Sequence, residues 1–359
     1  MAAHLKSILI VKLSAIGDVV HTLPLLEVLR KCYPGARIDW VVEEDASQII
    51  ERHEALDQVI VSRRKTWQRE ILRPGKLGRV AREVRDFIRG LRSTEYDLVI
   101  DLHGLLKSGI LTGLSRGKRK IGFSFGTEGS SLFLTERAHE VDMDRHALER
   151  YLQTIEILGC ARDSWEGKIP IGPGDQESVD RIIYERGLNR ATLVAINPVA
   201  KWETKLWDDP KFASLADRIA GELGCRVIFT GSGTDRPALE GIIGAMKSEA
   251  INLAGTTNLR ELAYLYSRCA LLVSTDTGPM HIAAAMGCPV IALFGPTAPW
   301  RTGPYGKGHT VIREAMDCSP CFKRRCSHRS CMKDISVERV FEAVSERLKP
   351  REKAPTPTV

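Results

Sequence analysis

The sequence predicts an α/β protein made of two doubly wound, Rossmann-like domains. Three observations lead there. The 359 residues exceed what one hydrophobic core usually organises. Short apolar runs alternate with amphipathic stretches from the start of the chain. The alternation stops at a Gly- and Pro-rich segment, 167–174, and then begins again. Strand–helix alternation of this kind builds a parallel sheet covered by helices on both faces.

In the first half, residues 7–12 read as a strand, 19–32 carry helical spacing, and 37–42 and 98–102 read as further strands ended by polar residues or glycine. In the second half, 192–197, 225–230, 270–274 and 289–294 read as strands. Residues 209–223, 259–267 and 280–286 read as the helices between them. A helix over 336–349 follows a Cys-rich segment, and the Pro-rich tail 350–359 is expected to be disordered. The implied domains are 1–172 and 173–335, followed by the terminal helix and the tail. Ligands of open α/β sheets sit beyond the carboxyl ends of the strands, so candidate residues are sought there.

No stretch approaches the run of about 20 apolar residues that a membrane span needs. The early apolar run, 8–11, leads into Gly and Asp and reads as a buried strand rather than a signal peptide, so a cytoplasmic protein is expected. The net charge of +7 is unevenly spread. Residues 62–92 hold eleven Lys or Arg against Glu70, Glu83 and Asp86. Residues 102–122 add Lys107, Arg116, Lys118, Arg119 and Lys120 with no acid. Such stretches form either a solvated basic face or a surface for a polyanion: nucleic acid, phospholipid or a phosphorylated acceptor. Nine cysteines without an export signal argue against a disulfide scaffold.

Four motifs sit after strands. V-K-L-S-A-I-G-D, 11–18, places Gly17 in a strand-to-helix turn and Asp18 at the helix start, where a carboxylate is stabilised as an anion. N-P-V-A-K-W-E-T-K-L-W, 197–207, carries Lys201 and Lys205, which would project alike on a helix. F-T-G-S-G-T-D-R, 229–236, is a Gly-rich loop with Asp235 as a candidate for ribose hydroxyls. S-T-D-T-G-P-M-H, 274–281, puts Asp276, Thr277 and Gly278 before a helix opened by Pro279. Free N–H groups at that helix start can hold a diphosphate, with His281 one turn on. A further segment carries Cys318, Cys321, Cys326 and Cys331, a spacing open to zinc or to a plain thiol-rich loop.

The first and last of these four motifs resemble the signatures of glycosyltransferase family 9, the lipopolysaccharide heptosyltransferases, and the string continuing through C-Y-P-G-A-R-I-D-W is nearer to heptosyltransferase I than to heptosyltransferase II. The resemblance implies a GT-B architecture, two Rossmann-like domains facing a central cleft. It implies Asp18 as catalytic base and Lys205 as a phosphate ligand. It places Asp276, Thr277, Gly278 and His281 at an ADP-heptose donor, and a Kdo hydroxyl of the lipid A core precursor as the inverting acceptor. Ala200 and Lys201 stand where such proteins often carry a Thr pair, so Lys201 would replace a hydroxyl contact by charge. The family works without a metal, so no cofactor is expected. The basic stretches then acquire an anionic glycolipid on the inner face of the membrane, with Arg63, Arg64, Lys65 and Lys107 as acceptor ligands.

Other readings are weaker. A nucleic-acid-binding protein would not need two doubly wound domains with a D-T-G-x-x-H turn. An NAD-dependent dehydrogenase would need a complete Gly fingerprint after the first strand, and none is present. Heptosyltransferase II, or another nucleotide-sugar transferase of the family, is the serious rival.

Overall fold

The computed structural model describes residues 5–123, 128–136, 138–162 and 164–349. The tail 350–359, expected to be disordered, lies outside them. The chain clusters into two units, Met1–Gly172 with Trp300–Thr302, and Pro173–Pro299 with Gly303–Val359.

In the first unit, β1 (Ser7–Val11) leads through α1 (Ile16–Val20) and α2 (Leu23–Cys32) to β2 (Arg37–Glu43), α3 (Glu44–Ser47) and β3 (Gln58–Ser62). A hairpin of α4 (Arg64–Glu70) and α5 (Leu77–Leu91) precedes β4 (Glu95–Asp101), α6 (Leu106–Leu114), β5 (Arg116–Gly122) and α7 (Ala147–Ile157). The five strands run in the order β3-β2-β1-β4-β5 and pair in parallel throughout. Ile8, Leu9, Ile10 and Val11 are fully buried, because a central strand covered on both faces admits no polar alternation.

The second unit opens with α8 (Pro173–Glu185) and β6 (Leu193–Asn197), then α9 (Asp209–Leu223), β7 (Arg226–Phe229), α10 (Arg236–Gly244), β8 (Ala250–Asn252) and α11 (Leu259–Ser267). It continues with β9 (Leu271–Thr275), α12 (Gly278–Ala285), β10 (Val290–Phe294), α13 (Pro299–Thr302), β11 (Thr310–Arg313), α14 (Ser330–Lys333) and α15 (Val337–Leu348). Its six strands run β11-β10-β9-β6-β7-β8, again all parallel. In each sheet the first strand lies beside the fourth of its own unit, so the winding reverses between β1 and β4 and between β6 and β9. That reversal opens a crevice at the strand carboxyl ends.

Two expectations are corrected. The helix expected over 19–32 is two helices, because Pro24 in the first turn of α2 has no N–H to continue the ladder of α1. The cysteine reading argued against a disulfide scaffold, yet Cys32 at the end of α2 is bonded to Cys160 just beyond α7. These helices pack together and bring the two Cα atoms to 5.9 Å, within disulfide range. The seven other cysteines are free.

Candidate functional site

In the first unit the loop after β1 turns straight into α1, and Asp18 occupies that helix's third position. Its Oδ2 accepts from the Ala15 N–H at 3.0 Å and its Oδ1 from the Tyr151 hydroxyl at 2.9 Å. The ammonium of Lys12, at the end of β1, stands 3.8 Å from the same Oδ1 and donates to Tyr151 Oη at 2.6 Å and to the Leu102 carbonyl at 3.0 Å. Burial pushes the Asp18 carboxyl up, but the Lys12 charge and the two hydrogen bonds outweigh it and hold it below its usual value. Asp18 is therefore a carboxylate at neutral pH. Its side chain keeps 39% of its accessible surface, so the lone pairs not engaged by Lys12 and Tyr151 can meet a solvent-side ligand.

Across the same switch point, the loop after β4 supplies His103. Burial first, then Lys12 and Lys107, bring its pKa down to about 3, so the ring is neutral. Neither ring nitrogen has a hydrogen-bond partner among the described residues. Both nitrogens are buried, one a donor and the other an acceptor in the neutral ring. The sequence reading missed His103. The only signal was its position two residues past the end of a central strand.

The four cations assigned to the acceptor do gather at the edge of this crevice, but around acids that the sequence reading did not pair with them. Glu43, buried at the end of β2, accepts from Arg64 at 2.8 Å and pairs with Lys65 at 3.0 Å and Lys107 at 3.3 Å. Burial opposes its ionisation, yet these partners bring its pKa down to about 2. Arg63 is bound by Glu44 and Glu83, and Lys65 also by Asp45. Arg63 to Lys65 stand at the cap and first turn of α4. Much of their charge is therefore met inside the protein. A separate hollow of about 830 Å³ in this unit, lined by Glu27, Arg30 and His53 among others, contains none of the predicted residues.

In the second unit, Asp276 and Thr277 lie between β9 and α12, with Thr277 at the N-cap and Pro279 in the first turn. Pro279 has no N–H and the Met280 N–H donates to the Thr277 carbonyl at 3.2 Å, which leaves the Gly278 N–H at the helix start available to an anion. The loop after β6 meets them, because the Thr275 hydroxyl donates to the Val199 carbonyl at 2.9 Å. Lys205 Nζ lies 2.6 Å from Asp276 Oδ2, and the Thr297 hydroxyl donates to the same oxygen at 2.6 Å. Asp276 is thus engaged by two side chains, leaving its other oxygen for a ligand. His281 is buried within α12.

Lys201 and Lys205 do not share a helical face. The segment is extended into a short turn of 3-10 helix, Glu203–Lys205, and the two lysines diverge. Lys205 sits 4.6 Å from the centre of the Trp202 ring, whereas Lys201 is exposed and lines a cavity of about 410 Å³ with Trp202, Glu203, Arg324 and Arg325. The Arg324 guanidinium lies 5.1 Å from the same ring centre. The Cys-rich segment is moored there: the Thr204 hydroxyl donates to the Lys323 carbonyl at 2.8 Å and Arg329 to the Glu203 carbonyl at 3.2 Å. Trp202, Arg324 and Arg325 were missed in the sequence, where the arginines are more than a hundred residues from Trp202. Among the described residues no three or more of His, Cys, Asp and Glu are grouped to hold a metal ion.

Asp235 stands apart, on the loop after β7. Its Oδ2 accepts from the Ser232 N–H at 2.8 Å and so caps its own turn. That loop touches the one after β8 through two glycines. A Cβ on Gly255 would lie 2.6 Å from the Gly233 Cα, and Gly255 has a φ of +71°.

The family model described as Glycosyltransferase family 9 (heptosyltransferase) matches residues 84–332. The chain is 31% identical to lipopolysaccharide heptosyltransferase 1 of Pseudomonas aeruginosa PAO1 over 346 residues, covering 91% of this chain and 89% of that protein. Among solved structures, a glycosyl transferase family 9 protein from Veillonella parvula DSM 2008 superposes with a TM-score of 0.78 at 27% identity, over 95% of this chain and 97% of that one. Escherichia coli heptosyltransferase WaaC with ADP superposes with a TM-score of 0.74 at 26% identity, over 95% and 99%.

Proposed function

The chain belongs to glycosyltransferase family 9, the heptosyltransferases, and on that premise we propose that it transfers a heptose from ADP-heptose to a Kdo hydroxyl of the lipid A inner core, with inversion at the anomeric carbon. It is a glycosyltransferase of the GT-B fold class. The observation that carries the mechanism is the Asp18 carboxylate, ionised, accessible and oriented by Tyr151 and Ala15 at the first switch point.

Asp18 takes the proton of the acceptor hydroxyl as that oxygen bonds to the anomeric carbon. The bond from that carbon to the diphosphate oxygen breaks on the opposite face, and its electron pair leaves with ADP. A hydroxyl is a far stronger acid in the transition state than in the ground state, so a base of low pKa still serves once the C–O bond is forming.

In the second unit, the Gly278 N–H at the start of α12 and Lys205 receive the diphosphate, whose negative charge grows as the bond breaks, and Lys201 adds a further cation at the neighbouring cavity. Fixed cations and dipoles do there what a divalent ion does in other transferases, so the reaction proceeds without a metal. Asp276 orients a donor hydroxyl through its remaining oxygen. Asp235 caps its own turn through Oδ2 and offers its other oxygen to the ribose hydroxyls.

The acceptor is a lipid, so the protein works in the cytoplasm and peripherally on the inner membrane. No helix among the described residues is long and apolar enough to cross a bilayer. Nucleic acid has no part in this reading. The deciding experiment is a donor and acceptor panel: ADP-heptose with Kdo-lipid A should give product, while an already heptosylated acceptor should not. The reverse pattern would make the enzyme a heptosyltransferase of the second type.

A further inference from the structure

We propose that the hairpin of α4 and α5 is the surface through which this protein docks on an anionic lipid bilayer. Ile71, Leu72 and Leu77 enter the boundary between headgroups and acyl chains, and Arg69, Arg73, Lys76, Arg82 and Arg85 lie against the headgroup phosphates. The inference rests on the reading of a membrane-held acceptor and names the element that meets the membrane.

The hairpin is built unlike the rest of the first unit. α4 buries no residue, and α5 buries only Val80 and Leu91 over 15 residues. The two helices are also held to each other: Trp67 packs edge-on against Phe87 at 5.4 Å and donates from Nε1 to Glu83 at 2.9 Å. Between them the chain turns at Gly75, with φ of +73°, and presents Ile71 at 47%, Leu72 at 87% and Leu77 at 62% exposure. Three large apolar side chains exposed within seven residues cost free energy in water unless they find an apolar partner.

Charge defines that partner. Every acid of the hairpin is already paired: Glu70 with Arg79, Glu83 with Arg63 and Arg79, and Asp86 with Arg89. Arg69, Arg73, Lys76, Arg82 and Arg85 are all exposed and have no carboxylate partner among the described residues. An apolar tip on a hairpin that carries unmatched cations fits an anionic bilayer surface, where apolar insertion and headgroup charge act together. A nucleic acid would satisfy the cations and leave the leucines in water. α4 starts at the Glu43 cluster beside the Asp18 crevice, and its seven residues span about 10 Å. The tip thus stands close enough to the crevice for a lipid-anchored sugar to reach it.

The test compares the whole protein with Leu72→Ser/Leu77→Ser and with Arg69→Ser/Arg73→Ser/Lys76→Ser in co-sedimentation with phosphatidylethanolamine vesicles containing phosphatidylglycerol. Wild type should bind, less at high salt and less to vesicles of phosphatidylcholine alone. Each variant should lose vesicle binding by about tenfold or more. Turnover of a de-acylated, water-dispersed acceptor should stay within about twofold of wild type in both. Variants that bind the vesicles as wild type does would overturn the inference while leaving the membrane reading in place. A wild type that does not bind them would overturn both. Loss of turnover on the water-dispersed acceptor alongside loss of vesicle binding would assign the hairpin to the site and refute docking as its role. A leucine variant that still binds vesicles, together with tight wild-type binding to an oligonucleotide, would make the hairpin a nucleic-acid surface.

Discussion

The hydroxyl of Tyr151 donates to Oδ1 of Asp18 at 2.9 Å, joining a helix late in the first unit to the loop after its first strand. Tyr151 accepts in turn from Lys12 Nζ at 2.6 Å, so the carboxylate is oriented through a chain of three groups. Loss of the base itself should therefore be severe. Asp18→Asn should lower kcat by at least about 10², with ADP affinity nearly unchanged. Steady-state kinetics with calorimetry of ADP checks both halves, and full activity would remove Asp18 from the mechanism.

Tyr151→Phe separates orientation from reaction. The hydrogen bond lowers the Asp18 pKa, so removing it raises that pKa. The acid limb of the kcat/KM profile, where Asp18 takes up its proton, should move to higher pH. At its plateau kcat/KM should fall roughly tenfold, about 1.4 kcal/mol. A lowered plateau with an unmoved limb would make Tyr151 a packing residue.

Lys205, proposed above to receive the diphosphate, also neutralises the nearly buried Asp276. Lys205→Ala should weaken ADP binding by about 1.5–3 kcal/mol. It should also destabilise the fold, by roughly 3 kcal/mol or more, because a buried carboxylate loses its counter-ion. Lys205→Ala/Asp276→Asn should recover much of the stability and none of the ADP affinity. Calorimetry and thermal melts read the two separately.

Glu43 gives a pH signature. Its folded pKa, about 2, is depressed below the ordinary 4.5, so its contribution is complete above about 4.5 and is lost as pH falls toward 2. Glu43→Gln should cost about 2–3 kcal/mol at neutral pH, where Arg64, Lys65 and Lys107 lose their shared partner. The gap between wild type and variant should close on acidification below 4.5. A gap independent of pH would mean that packing, not charge, is lost.

Metal independence is the simplest to check. Activity should survive EDTA and gain nothing from added magnesium. Activity abolished by EDTA and restored by magnesium would show that the cations of the second unit do not suffice for the leaving diphosphate.

The two sheets were legible because their central strands are buried on both faces and so read as unbroken apolar runs, such as Ile8 to Val11. Asp18 and Asp276 were legible because each follows such a run at a turn marked by glycine. What escaped has a common physical cause: partners contributed by distant parts of the chain. Counting charges along 62–92 showed eleven cations but not Glu43, Glu44 and Asp45, which reach Arg63, Arg64 and Lys65 from the end of β2 and its following helix. His103 gave only its place past β4, since it takes packing to leave a ring dry and unpartnered. Arg324 joins Trp202 only because a loop over a hundred residues on folds back over the turn at Thr204.

The bond between Cys32 and Cys160 makes the first unit a covalent ring. It spans 128 positions of sequence and encloses four of the unit's five strands. A ring of that size bars the unfolded chain from its most extended states, worth roughly 5 kcal/mol in the chain-entropy view. The second unit has no such closure among its described residues, so its heat resistance comes from non-covalent contacts alone. Oxidised protein should therefore lose the second unit first on heating, while the helix carrying Tyr151 stays beside Asp18. A thiol reductant opens the ring and removes that order of melting.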